Sequence, residues 1–203
     1  MVAVGGGAAV GVQLAVLART PKFDLFNFLS SFSILSVLFA STVLVWVAVR
    51  AWKRKKASTT LDKLRGAAVV YLLTDAAMVA IHARRLTEEL ASPFFGTELI
   101  LHVAMPIALS IDWMFKPPRA ELVLQTVVRW LWFPLFYACL VVGRGAVVDW
   151  YPYAFVNPDV DGYGAVLVHF VGAIMMIAAF AWVVAHIGNQ RRQRGSKTPA
   201  ETI

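Results

Sequence analysis

Six apolar runs, each close to the length of a helix that crosses a bilayer, constrain this chain more than any other feature. They cover residues 2–18, 25–49, 66–83, 97–115, 121–142 and 163–187. A hydrocarbon core needs about 20 mostly apolar residues rising ~1.5 Å each, and its lack of water favours helices, which bond their own backbone. Composition agrees: 59% hydrophobic and 15% charged residues, with a mean hydropathy of +0.67, are too apolar for an ordinary soluble domain. The fold class expected is all-α, a polytopic membrane bundle of six transmembrane helices. The first run is the weakest, because Gly5, Gly6 and Gly7 lower its helix propensity. It has the length of a signal peptide, but no basic residue precedes it and only Val16 and Ala18 offer small residues for cleavage.

The basic residues orient the bundle. Arg50, Lys53, Arg54, Lys55, Lys56, Lys63 and Arg65 fall in the second connection, Lys116 and Arg119 in the fourth, and Arg191, Arg192, Arg194 and Lys197 in the tail. These 13 of 19 Lys and Arg residues belong on the cytoplasmic side. Both termini are then cytoplasmic. Residues 1–187 form the transmembrane domain, and 188–203 a polar, basic tail expected to be disordered. The net charge of +7 is mostly this topological signal, with no aromatic-interleaved basic face beside it, so nucleic acid is not expected as a partner. The run from Lys53 to Lys56 also suits anionic lipid head groups, although topology signalling accounts for it.

Other classes fall away on residue inventory. Cys139 is the only cysteine, which excludes an intramolecular disulfide and a multi-cysteine metal site. There is no Gly-rich phosphate loop and no HExxH motif. Neither a metal nor a cofactor is expected. A retinal protein is disfavoured because no span carries a lysine for a Schiff base. The partners expected are the bilayer and a lipid substrate, and nothing in the sequence specifies an oligomeric state.

Polar side chains within the spans mark the candidate site. Counted from the outer ends, Ser30 and His102 lie about 8 Å deep, His169 about 9 Å, Ser33 and Asp75 about 12 Å, and His82 only about 2 Å. Ionisable groups are costly inside a bilayer and usually face a bundle interior or a wet cavity, so a shared depth points to a pocket. Asn27, Ser30 and Ser33 recur every three residues and Ser36 continues the row, giving a polar ridge on one side of the second helix that could line a cavity. Ser31, Ser36 and Ser41 read as small residues that let helices approach. A serine hydroxyl becomes a nucleophile when a base, most often histidine, takes its proton, and Ser30 with His102 supplies the pair. Pro106, one turn after His102, is placed to kink the fourth helix and open a polar gap. Asp75 is expected to form an ion pair with Arg129, with orientation of the histidine as its alternative role. Asp112 is expected to meet Lys116 or Arg119, and His186 to be interfacial.

The string Phe28-Leu29-Ser30, then Leu101-His102 with Pro106, then Asp112-Trp113, then Arg144-Gly145 and Trp150-Tyr151-Pro152-Tyr153-Ala154-Phe155 resembles the bacterial branch of the androgen-induced membrane hydrolase family. The resemblance spans most of the chain, and its most specific parts are the last loop and the histidine-containing fourth span. It implies an intramembrane hydrolase of lipid esters, of the type that joins a fatty acid to a hydroxy fatty acid. It implies a bacterial plasma membrane location too. The family nucleophile is a threonine after an aromatic-Leu pair, which falls on Ser30 here, and its histidine falls on His102. A slip of one helical turn selects Ser33 instead.

The loop from Arg144 to Asp161 is expected to be external. Trp150, Tyr151, Tyr153 and Phe155 are either interfacial anchors or a cap over the cavity that guides an acyl chain, with Arg144 pairing with a substrate carboxylate or Asp149. The substrate-binding set is thus Asn27, Ser33, Arg144, Trp150, Tyr151, Tyr153 and His169. Two other functions fit the same residues: a haem-binding membrane electron carrier using His102 and His169 as axial ligands, and a lipid-binding or transport protein without catalysis.

Overall fold

A computed structural model describes residues 2–20, 23–56, 58–89 and 95–197, without the side chains of residues 2–4, 82–89, 95, 196 and 197. Among the described residues every regular element is helical: α1 (Val2–Leu17), α2 (Leu25–Leu29), α3 (Phe32–Trp52), α4 (Thr59–Glu89), α5 (Phe95–Leu99), a π turn (Ile100–Ala104), α6 (Met105–Phe115), α7 (Leu124–Trp130), α8 (Trp132–Val148), a short 3-10 turn (Ala154–Val156) and α9 (Pro158–Lys197). Five helical stretches are long and apolar enough to cross a membrane: Phe32–Trp52, Thr59–Ile81, Gly96–Phe115, Leu124–Val148 and Pro158–Gly195. The first predicted span is helical as expected, but its apolar part, Gly5–Leu17, is shorter than the other five.

Departures from straight helices trace to particular residues and their contacts. The predicted second span is broken, because Ser31 is extended (φ −76°, ψ 131°) and starts α3, while the Asp24 carboxylate caps α2 by accepting the Asn27 N–H at 2.9 Å. The expected ridge of Asn27, Ser30, Ser33 and Ser36 is therefore split. Only Ser33 and Ser36 lie buried on α3. In the fourth span, Pro106 has no N–H for the His102 carbonyl and its ring crowds that carbonyl. The turn before it loosens into the π form, with the Met105 N–H reaching back to Ile100 O. In the fifth, Pro134 likewise leaves the Trp130 carbonyl without a helical donor, and the Tyr71 hydroxyl donates to that oxygen at 2.8 Å. The last helix turns sharply at Gly162 (φ 80°, ψ 163°), a conformation open to glycine but strained for other residues. Beyond it the helix continues to Lys197, so the part of the tail expected to be disordered is helical through that residue.

α4 lies at the centre, packed against α3, α6 and α9. Its inner face is small and apolar, with Ala67, Ala68, Val69, Val70 and Leu72 buried against Val37, Ala40, Leu101, Met105 and Ala181. Small residues suit a bundle without a hydrophobic drive between helices, since van der Waals packing must supply the attraction. Ser36 and Ser41 are buried with no hydrogen-bond partner among the described residues, which agrees with packing by size. The outer surface keeps large apolar side chains exposed, including Trp46, Ile107, Ile111, Leu140, Leu167, Val168 and Met175.

The Lys- and Arg-rich end is tied by a charged clasp. Arg65, 8% exposed, donates from Nη2 to Asp112 Oδ2 at 2.6 Å, pairs with Asp62 at 3.5 Å and lies 5.7 Å from the Trp113 ring. Asp112 meets Lys116 as expected (2.9 Å) and adds Arg65, whereas Arg119 goes to Asp62. The Asn189 amide binds both the N–H and the carbonyl of Leu122, holding α9 to the start of the fifth span. The opposite end, formed by residues 17–20, 23–34 and 150–156 with the upper parts of α4, α8 and α9, holds a cavity.

Candidate functional site

The cavity has a volume of about 850 Å³, within the size range of small-molecule sites. One wall is apolar, formed by Phe170, Ala173, Ile174 and Ile177 of α9 with Met78 and Val79 of α4. The other carries a continuous hydrogen-bonded chain. Ser33 Oγ donates to Asp75 Oδ1 at 2.6 Å, and the second Asp75 oxygen lies 2.9 Å from His102 Nδ1. His102 Nε2 is 2.9 Å from Glu98 Oε2, and the Gln13 amide donates to Glu98 Oε1 at 2.7 Å and to Thr97 Oγ1 at 3.3 Å.

These positions follow from the helix breaks. Starting α3 at Phe32 puts Ser33 in its first turn, facing α4 where Asp75 is 3% exposed. The π turn carries His102 toward Asp75, and Glu98 stands four residues earlier on the same side of the helix. A neutral imidazole has one N–H donor. Two carboxylates on one ring therefore require either an imidazolium or a proton on one carboxyl.

Ser30 does not join His102. Its hydroxyl donates to Phe26 O at 2.6 Å and its carbonyl accepts from Tyr137 at 2.8 Å. Both bonds stabilise the bend between α2 and α3, and Ser30 is not among the cavity-lining residues. Both His102 nitrogens are already occupied by carboxylates. The expected Asp75–Arg129 ion pair is not formed either: Asp75 is engaged by Ser33 and His102, and Arg129 is exposed. The alternative role of Asp75, orienting the histidine, is the one its contacts match.

The loop residues fall as a cap. Trp150, Pro152, Tyr153, Ala154 and Phe155 all line the cavity. The Tyr153 oxygen is 3.0 Å from Ser31 Oγ and accepts the Phe32 N–H at 3.0 Å. Ser31 is thus a hydrogen-bonding residue and not a packing one. Burial raises the Tyr153 phenol above its ordinary value of 10.0, the Asp75 charge adds to the rise, and bonds from Ser31 and Ser33 oppose it. Tyr153 stacks on Phe155, whose ring lies 5.7 Å from His169. Tyr151 packs against Gly145, where a Cβ would overlap its ring. Arg144 donates to Asn27 Oδ1 at 2.6 Å and lies 5.1 Å from the Trp150 ring, so its pairing with Asp149 is not found.

His169 lines the cavity with its Nδ1 2.8 Å from Ala165 O. His102 keeps no ring nitrogen to offer an iron, so the two histidines do not form an axial haem pair. His186 stacks on Trp182 and bonds to Gln190, and the His82 side chain lies outside the described residues. Glu98 and Gln13 were not anticipated as site residues. Their signals were the Glu98-to-His102 spacing of four and a single amide within the first apolar run. Comparison of the chain with protein-family models, with curated proteins and with solved structures gives no match.

Proposed function

We propose that this chain is an intramembrane hydrolase of lipid esters in which Ser33, not Ser30, is the nucleophile. The observation that carries the reading is the Ser33–Asp75–His102–Glu98 chain opening on a cavity with an apolar wall. The resemblance of the loop and fourth-span motifs to a family of hydroxyl-dependent lipid hydrolases supports it, and the one-turn slip from Ser30 reaches the serine bonded to Asp75. Esters of fatty acids with hydroxy fatty acids are the substrates this resemblance implies. The chain sits in the bilayer with six crossings, including the shorter α1, and both termini on the cytoplasmic side of a bacterial plasma membrane. The cavity lies opposite the Lys- and Arg-rich end, which corresponds to the outer leaflet.

In the reaction, Ser33 Oγ attacks the ester carbonyl carbon while its proton passes to Asp75. The carbonyl π electrons move to oxygen, and the N-terminal turn of α3 faces the negative charge that develops beside Ser33. Collapse breaks the bond to the alcohol, which leaves with a proton from the Asp75–His102–Glu98 chain. Water then attacks the acyl-serine, returns a proton to Ser33 and releases the acid. His102 spreads the proton between two carboxylates, so neither must hold an isolated charge.

Labelling with a fluorophosphonate probe tests the assignment. Wild type and Ser30→Ala are expected to label, and Ser33→Ala and His102→Ala to lose labelling. Equal labelling of all four proteins, or of none, removes the support for a serine nucleophile and leaves a cavity that binds lipid without cleaving it.

A further inference from the structure

We infer that Tyr153 is a catalytic residue, the hydroxyl that donates a hydrogen bond to the ester oxygen as it becomes negative. This rests on the reading of Ser33 as nucleophile. Three observations place the phenol for the task. Its oxygen already accepts the Phe32 N–H at the start of α3, so its own proton must be donated elsewhere. Ser31 Oγ lies 3.0 Å from the phenol oxygen, where either hydroxyl can be the donor, so the phenol proton is not committed to it. Ser33, the residue after Phe32, lines the same cavity as this phenol. A carbonyl approached by Ser33 Oγ then has the Tyr153 hydroxyl available as a side-chain donor from the cap. No atom of Tyr153 is consumed: the phenol keeps its proton, strengthens one hydrogen bond as charge develops, and relaxes when the intermediate collapses.

Burial and the nearby Asp75 carboxylate disfavour the phenolate, which keeps the group a donor at neutral pH. Stacking on Phe155 restrains the ring, so little reorganisation accompanies the reaction. Anchoring of the cap is the competing role, and it depends on shape and a ground-state hydrogen bond.

Turnover of p-nitrophenyl decanoate by the full chain in detergent separates these roles. Tyr153→Phe is expected to lower kcat by about 100- to 1000-fold, the usual loss for one oxyanion donor, with KM little changed. Replacing Tyr153 with ring-fluorinated tyrosine keeps its shape and its partners while making the phenol a stronger donor, so kcat is expected to rise with fluorination. A normal kcat in Tyr153→Phe alongside an inactive Ser33→Ala overturns the Tyr153 assignment and leaves the nucleophile standing. A low kcat in Tyr153→Phe with no response to fluorination makes the phenol structural and overturns it as well. Full turnover in Ser33→Ala overturns the hydrolase reading itself, and the inference with it.

Discussion

Asp75 is the residue on which the site turns, because its two oxygens serve two different partners on two other helices. Asp75→Asn keeps the size but exchanges one acceptor for a donor, which faces either Ser33 or the imidazole wrongly. It is expected to lower fluorophosphonate labelling of Ser33 by at least about 100-fold, the low end of a general-base contribution. Unchanged labelling would leave Asp75 a structural anchor. At this scale the sequence was partly legible. Span depth places Ser30, His102 and His169 at one level with Ser33 and Asp75 just beneath, and of these His102, Asp75 and Ser33 meet. Their bonding order does not follow from depth. Depth along an axis says nothing of azimuth, so Ser30 and His102 share a level yet lie on different local surfaces. Asp75 was likewise expected to seek Arg129, since two costly charges attract in the absence of other partners. A histidine and a serine satisfied it first.

Among the elements, the breaks matter more than the helices. Apolar length located the five helical stretches long enough to cross a membrane and the shorter helix before them, and Pro106 announced the distortion that brings His102 inward. The break at Ser31 had no such marker. Its cause is distributed over the Asp24 cap, the Tyr137 bond to the Ser30 carbonyl and the Tyr153 bond to Phe32, all contacts made across the fold or just outside the apolar run. The cap is held equally closely. A methyl group at Gly145 would overlap the Tyr151 ring, so Gly145→Ala is expected to push the loop away from the cavity. The measurements are Tm and ester turnover. A fall in kcat of tenfold or more is anticipated, against little change for Ala at Gly143, where a Cβ would meet nothing within 4 Å. Equal effects at the two positions would show that the close packing of Tyr151 is unimportant.

For the molecule as a whole, stability and chemistry are divided between opposite ends. The Arg65 clasp ties α4 to α6, and the Asn189 amide ties α9 to Leu122, at the end opposite the cavity. Removing one partner of a buried charge pair typically costs about 3–5 kcal/mol. Arg65→Met is accordingly expected to lower Tm while Ser33 in the folded fraction still labels. Asp112→Asn added to it should recover part of the loss, and a double variant no more stable than the single would count against pairing. Orientation is checked by moving the single cysteine. With Cys139→Ser as background, a cysteine at Asp149 is expected to react with an impermeant maleimide on intact cells and one at Lys55 only after lysis. The reverse pattern would invert the bundle.

The Gln13 side chain, 6% exposed in the shortest of the apolar helices, donates to Glu98 across 85 positions of sequence. In the proposed six-crossing topology, the first helix enters the bilayer long before its partner exists. A polar amide must then wait there until the fourth hydrophobic segment arrives to receive its hydrogen bond. Assembly of the reactive layer is thereby coupled to completion of most of the bundle, and a chain cut or stalled before Glu98 carries Asp75 and Ser33 without the proton chain that links them to the amino terminus.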